Sequence, residues 1–137
     1  MTAENEDVIE RILVKSRVIA VVGLSPDPGR PSYGVARYLQ RAGYRIIPVN
    51  PLIDQVLGEP AYQGLRQVPG HIDLVDVFRR SEYVAEIVED AIAVGADALW
   101  LQDGVSDEAG AERARRAGLD VVMDDCIMRR HAHRHRS

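Results

Sequence analysis

Five consecutive apolar residues, Val18 to Val22, run directly into Gly23-Leu24-Ser25-Pro26-Asp27-Pro28-Gly29-Arg30-Pro31-Ser32-Tyr33-Gly34. An unbroken apolar run of this length suits a central parallel strand covered on both faces; a strand with one wet face would alternate instead. The turn that follows is punctuated by glycine and proline and opens a helix. In an α/β protein such a turn aims free backbone N–H groups, at the positive end of the helix, toward a phosphate. The segment therefore predicts a parallel sheet and a nucleotide-like ligand at its carboxyl edge.

The rest of the chain continues the alternation. Glu6 to Lys15 places Val8, Ile9, Ile12 and Leu13 at helical spacing and predicts a short amphipathic helix at the domain edge. Ser32 is the candidate cap of a helix carrying Val35, Ala36 and Leu39 on one side and stopped by Gly43. Further strands are expected at Tyr44 to Val49, Ile72 to Phe78, Asp97 to Leu101 and Leu119 to Met123, with helices from Ser81 through Val94 and from Ser106 to Gly118. Pro48 has no N–H to give a neighbour, so its strand belongs at an edge or must end there. Leu52 to Pro69 carries two glycines, two prolines and no sustained periodicity, and reads as a long connection with one short helical turn. This order implies a three-layer, Rossmann-like α/β sandwich with a mostly parallel sheet of about five strands, occupying residues 1–128. Residues 129–137, basic and rich in histidine, are expected to be a disordered tail.

Composition narrows the function. With 137 residues, 46% of them hydrophobic, the chain suits one domain with its own core. A formal net charge of −4, without a basic stripe or a row of stacking aromatics, argues against nucleic acid as a partner. The Val18–Val22 run is far too short to cross a bilayer. Cys126 is the single cysteine, so no intramolecular disulfide forms, and the acidic, polar start is unlike a signal peptide. A soluble, cytoplasmic protein is expected.

Ligands of open parallel sheets sit at the carboxyl ends of the strands, near the point where the chain reverses direction across the sheet. Four turns qualify here: Gly23 to Ser32, Val49-Asn50-Pro51, Val77-Phe78-Arg79 and Gln102-Asp103-Gly104. Gly23 lets backbone approach a ligand, the Ser25 hydroxyl can donate to a phosphate oxygen, and Arg30 can grip phosphate as a fork. The bland alternative is a tight strand-to-helix connection. Gly23, Ser25 and Gly29 do not form the dinucleotide fingerprint, and the second strand ends in Asn50 where NAD proteins place an acid on the ribose. NAD is thus disfavoured. Asn50 can bond a ribose or base above an apolar floor, or simply make an Asn-Pro turn. Phe78 and Arg79 can supply an adenine-facing wall and a phosphate partner, or Phe78 can be core.

Together these residues resemble the small stand-alone CoA-binding proteins of the CoA-binding domain superfamily. The likeness rests on the Gly23–Tyr33 turn, Pro48-Val49-Asn50-Pro51, Val56-Leu57-Gly58, Asp76-Val77-Phe78-Arg79-Arg80, Trp100-Leu101-Gln102-Asp103-Gly104 and Val122-Met123-Asp124-Asp125-Cys126-Ile127, over residues 17 to 128. The resemblance implies a Rossmann-type domain that accepts coenzyme A, related to the CoA-binding domain of succinyl-CoA synthetase alpha and of ADP-forming acyl-CoA synthetases. Carried over, Ser25, Arg30 and Ser32 would face the phosphates and Val49, Asn50, Pro51, Phe78 and Arg79 the adenosine; Gly23, Leu24, Tyr33 and Gln102 complete the expected site. Many relatives have a lysine just after the Asn-Pro pair, where this chain has Leu52 and Ile53.

No catalytic constellation accompanies this site. There is no Ser-His-Asp order, no paired carboxylates and no P-loop, and the sole lysine, Lys15, precedes the sheet. Cys126 lies between Asp124-Asp125, which disfavour a thiolate, and Arg129-Arg130, which favour one. It reads either as a structural thiol or as a neighbour of the CoA thiol able to form a mixed disulfide with it. His131, His133 and His135 have no cysteine or carboxylate at fixed spacing, and no metal site is expected. The expected function is a non-catalytic module binding CoA or an acyl-CoA. The alternatives are a small enzyme acting on a CoA- or nucleotide-linked substrate, with Asp103, Asp124 or Asp125 as base, and the partner subunit of a split synthetase. A homodimer is a further possible assembly.

Overall fold

The computed structural model describes residues 3–134. In chain order it comprises α1 (Ala3–Lys15), β1 (Val18–Val22), α2 (Pro31–Arg41), β2 (Arg45–Val49), β3 (Gln55–Val56), β4 (Glu59–Pro60), β5 (Leu74–Val77), α3 (Val84–Ala93), β6 (Ala98–Leu101), α4 (Glu108–Arg116), β7 (Asp120–Val122) and α5 (Ile127–Arg134). The main sheet has five strands in the order β2-β1-β5-β6-β7, and all of its pairings are parallel. This is the Rossmann-like sandwich expected. The sequence order β1, β2 proceeds to one edge, and the chain then crosses back to β5, so the reversal falls between β1 and β5. That is where an open parallel sheet leaves a crevice at its carboxyl edge.

Alternation along the strands divides the core into two layers. Ala20, Val22, Ile47, Val75, Val77, Leu99 and Leu101 pack with α3 and α4, while Ile19, Val21, Ile46, Leu74 and Trp100 pack with α1, α2 and α5. Pro48 lies in β2, at the sheet edge, where its missing N–H leaves no ladder bond unmade. Among the described residues no helix is long and apolar enough to cross a membrane.

Several local expectations are corrected. The 52–69 connection contains a β3–β4 hairpin, paired Gln55 with Pro60 and Val56 with Glu59, besides a 3-10 turn at Leu65–Gln67. Ser32 does not cap α2: the cap position is Arg30, with Pro31 opening the helix, and the Ser32 hydroxyl instead accepts from Ser25 N at 3.0 Å. The helices expected from Ser81 and Ser106 begin later, at Val84 and Glu108: Asp107 caps α4 by accepting from Gly110 N at 2.9 Å, and Ser81 Oγ accepts from Ser106 N.

Residues 129–134 are helical, as part of α5, where a disordered tail was expected. The basic side chains that suggested disorder each find an anchor. Arg130 bonds Asp125 at 2.9 Å, Arg134 bonds Glu10 of α1 at 2.8 Å, and the Tyr38 hydroxyl meets His131 Nδ1 at 2.8 Å. Residues 135–137, including His135, lie outside the described residues.

Candidate functional site

The turn after β1 is shaped by Gly23. Its φ of +86° is a left-handed conformation, and a Cβ there would stand 2.6 Å from the carbonyl oxygen of Phe78. Glycine thus lets the β1 and β5 turns touch. The rest of the turn is tied down by its own side chains: Asp27 N donates to Ser25 Oγ at 3.1 Å, Gly29 N to Asp27 Oδ1 at 2.9 Å, and Arg30 N to the Asp27 carbonyl at 3.0 Å. With Gly23 N on the Val49 carbonyl and Ser25 N on Ser32, only the amides of Leu24 and Ser32 remain without a partner among the turn's described N–H groups. Leu24 is fully buried, so of the free N–H groups expected in this turn the Ser32 amide is the one within reach of a ligand. Ser25 and Ser32 each use an oxygen lone pair as acceptor, which leaves their O–H protons available to an anion.

A cleft of about 800 Å³ opens between this turn and the ends of β5, β6 and β7. Seven of the expected residues line it: Gly23, Ser25, Arg30, Ser32, Phe78, Arg79 and Gln102. Val49 and Pro51 line a neighbouring hollow of about 280 Å³ that shares Arg79 with the first. Tyr33 lines a third, shallow surface with Arg37 and Tyr38. Leu24 is fully buried, main chain included, and lines no part of the cleft. Asn50 lines none of these cavities; its side chain donates to the Leu24 carbonyl at 3.0 Å and accepts from Leu52 N at 2.9 Å, staying with the turn itself. Leu52, in the place of the lysine common in relatives, is 88% exposed.

Charge in the cleft is uneven. Arg30 has no ion pair or hydrogen bond through its guanidinium among the described residues, and Arg79 only stacks on Tyr83, 4.2 Å from the ring centroid. Arg80 lies 3.8 Å from Glu82. Arg129, by contrast, forks onto Asp103 at 3.0 and 3.1 Å and reaches Asp125 at 3.2 Å. The Arg129 hydrogen bond holds the Asp103 carboxyl below its ordinary range, despite the opposing effect of partial burial. Asp103 is thereby committed to an ion pair and is poorly placed to serve as a general base. Asp124 accepts from Gly104 N and Asp125 from Cys126 N, so these carboxylates fasten backbone around the cleft.

Cys126, Val105, Met128 and Arg129 also line the cleft, on the β6–α5 side. Sequence reasoning placed only Cys126 near a ligand; the others come together because α5 folds back over the strand ends. Cys126 is buried. One layer beneath the floor, Asp76 stands in the row Val21–Asp76–Trp100 across three adjacent strands. Both of its carboxylate oxygens are buried without a hydrogen-bond partner among the described residues, and burial pushes its carboxyl well above the ordinary range.

At the opposite end of the sheet His71, Asp73 and Asp97 bring one possible metal-ligand atom each to within 4.8 Å of one another. Their own bonds account for the cluster. His71 Nε2 meets Asp97 at 2.8 Å, and Asp73 Oδ2 accepts from the amides of Arg17 and Val18.

Fold and cleft define the class: a Rossmann-like α/β domain with guanidinium groups, those of Arg30 and Arg79, that have no carboxylate partner among the described residues at its topological crevice. The chain belongs to the CoA-binding domain family, whose model matches residues 17–132. It is 44% identical over 124 residues to the uncharacterized protein YneT of Bacillus subtilis, covering 90% of this chain and 92% of that one. It is similar to a solved hypothetical protein from Pyrococcus horikoshii OT3, with 36% identity, a TM-score of 0.89, and coverage of 97% and 92%. It also matches the alpha subunit of an ADP-forming acetate–CoA ligase of Pyrococcus furiosus, with 27% identity over 129 residues. That match covers 85% of this chain and 28% of the ligase subunit.

Proposed function

We propose that the chain binds coenzyme A or an acyl-CoA in the cleft at the carboxyl ends of β1, β5 and β6, as a cytoplasmic binding module without chemistry of its own. The observation that carries this reading is the pair of guanidinium groups, Arg30 and Arg79, left without carboxylate partners in a crevice where the other cleft arginines are paired. An anion with several phosphate oxygens satisfies both, together with the Ser32 amide and the Ser25 and Ser32 hydroxyls. The hollow under Val49 and Pro51, joined to the cleft through Arg79, is the place for adenosine. From there the pantetheine arm runs along the cleft toward β6 and α5. A buried cysteine and a salt-bridged aspartate supply no nucleophile paired with a base, which is why binding rather than turnover is proposed.

The test is a thermal-shift series with CoA, acetyl-CoA, NAD, NADP and ATP. A ligand at 100 times its dissociation constant adds roughly 2.7 kcal/mol of stability, a readily visible shift. CoA species raise the midpoint and NAD does not. Equal shifts with every adenine nucleotide overturn CoA selectivity in favour of a general adenosine pocket. The likeness to the alpha subunit of an acetate–CoA ligase favours a second reading, in which the module works as part of a synthetase with another chain. Copurification of a partner chain from the native source distinguishes the two.

A further inference from the structure

Gln102 is 4% exposed, yet it lines the cleft. Its Oε1 accepts from the amide of Ile127 at 3.3 Å, which fixes the orientation of the carboxamide and turns its NH₂ group the other way. That NH₂ has no hydrogen-bond partner among the described residues. It is not sealed in the core either: among the described residues the only fully buried side-chain atoms without a partner are the two oxygens of Asp76. The little surface Gln102 keeps therefore opens into the cleft, and two N–H donors point there without an acceptor. An oriented donor with no protein acceptor that opens into a cleft is available to a ligand atom that accepts from it.

The surroundings say what kind of atom. Gln102 stands at the end of β6, two strands from the phosphate-facing turn of β1, and its bond to Ile127 sets it beside Cys126. The nearby walls are Val35, Val105 and Met128, all apolar. Arg129, the cation on this side, is engaged by Asp103 and Asp125. The feature that remains is one neutral, oriented donor in an apolar recess. It suits a neutral carbonyl oxygen with a short alkyl group attached. A free thiol is a weak acceptor and leaves the donor unsatisfied.

Building on the assignment of the cleft to CoA species, we propose that its β6–α5 end is an acyl-thioester subsite. Gln102 Nε2 donates to the thioester carbonyl, and the acyl chain rests on Val35, Val105 and Met128. The preferred ligand is then a short-chain acyl-CoA rather than free CoA, and Gln102 is the residue that reads the acyl group.

Isothermal titration of the full chain with CoA, acetyl-CoA and S-ethyl-CoA tests this. S-ethyl-CoA keeps the pantetheine arm and the two-carbon group but has a methylene in place of the carbonyl. The wild-type protein binds acetyl-CoA roughly tenfold more tightly than S-ethyl-CoA, as expected for one well-placed hydrogen bond. Gln102→Glu keeps an oxygen for Ile127 N and replaces the donor with an acceptor; in it acetyl-CoA and S-ethyl-CoA bind alike. Gln102→Met, which lacks both groups, gives the same loss of discrimination and guards against a charge effect of the glutamate. Equal wild-type affinities for acetyl-CoA and S-ethyl-CoA overturn the proposal, as does a preference that survives in Gln102→Glu. Equal weakening of all three ligands by the substitutions also overturns it, because the contact then falls on the pantetheine amides. Failure of the wild-type protein to bind any of the three removes the CoA assignment itself, a result distinct from binding without discrimination.

Discussion

At the amino end of the sheet, charged side chains are engaged by one another and by main-chain amides, whereas at the carboxyl end several are left waiting. Below β1, β5 and β7, Asp73 accepts from the amides of Arg17 and Val18 at 2.9 and 2.8 Å, and Arg11 forks onto Asp120 with both contacts at 2.8 Å. Above them, Arg30, Arg79 and the NH₂ of Gln102 face the cleft with no hydrogen-bond acceptor of their own among the described residues. Both ends use arginine and polar groups at strand termini, so composition does not separate them. The difference lies in whether the fold brings a carboxylate to the guanidinium, as it does for Arg11 and does not for Arg30 or Arg79. An end that satisfies its own charges serves stability; one that leaves donors over has them ready for an anion.

Removing Arg30 tests this contrast most strongly. Arg30→Ala is expected to weaken CoA binding by roughly 1.5–3 kcal/mol, the worth of a charged hydrogen bond. Because the guanidinium has no hydrogen bond or ion pair among the described residues, the melting temperature without ligand stays close to that of the wild type. Titration calorimetry on the variant and a melt in the absence of ligand check the two halves. Unchanged affinity takes Arg30 out of the site, and a large loss of unliganded stability shows that it has a structural partner after all.

How much of this was readable beforehand follows the range of the interactions. The parallel sheet and the Gly23–Ser32 turn were legible because they rest on local patterns, an apolar run and a glycine before a helix. The β3–β4 hairpin was not, since its turn places Leu57 at φ +55° beside Gly58 at φ +76°. A two-residue hairpin turn with both φ values positive ordinarily announces itself by Asn or Asp before the glycine, and leucine hides it. The tail misled for a related reason: Arg130, Arg134 and His131 look like solvated charges until Asp125, Glu10 and Tyr38 arrive from distant segments. Arg129 and Asp103 likewise meet at the cleft only through the packing of α5, across 26 residues of chain. The Gln102 amide was in view as part of a turn, but its orientation depends on Ile127.

Between the two ends lies Asp76, which belongs to neither pattern. It holds a carboxyl in the layer under the cleft with no partner for either oxygen among the described residues. Asp76→Val, a change of similar volume that suits a central strand, is expected to stabilise the fold by about 1–3 kcal/mol at neutral pH, by removing an unsatisfied buried polar group. The effect depends on pH. The folded-state value is raised above the unfolded one, so the contribution of Asp76 is most favourable below the unfolded value of about 4. It is lost progressively as pH rises toward the folded value, and the gap between variant and wild type therefore widens from acid to neutral pH. Denaturant melts at several pH values measure it. A variant less stable than the wild type throughout means that Asp76 has a polar partner, such as a buried water, that the substitution strands.

The smallest effect is expected at the amino end, and it has the opposite character. Asp120 is held below its ordinary carboxylate range chiefly by its hydrogen bonds from Arg11, with burial opposing. The side chains remain 40% and 33% exposed, so solvent screens most of the attraction, and Asp120→Asn should cost no more than about 1 kcal/mol. The sign with pH is the reverse of that for Asp76. A lowered folded-state value gives stability that is present above the unfolded value and lost as pH falls through the folded one, so wild type and variant converge in acid. CoA affinity should not move, because the pair lies at the far end of the strands from the cleft. If Asp120→Asn shifts CoA binding as much as Arg30→Ala does, the two ends are coupled through the sheet. The division between a stabilising end and a receptive end would then have to be given up.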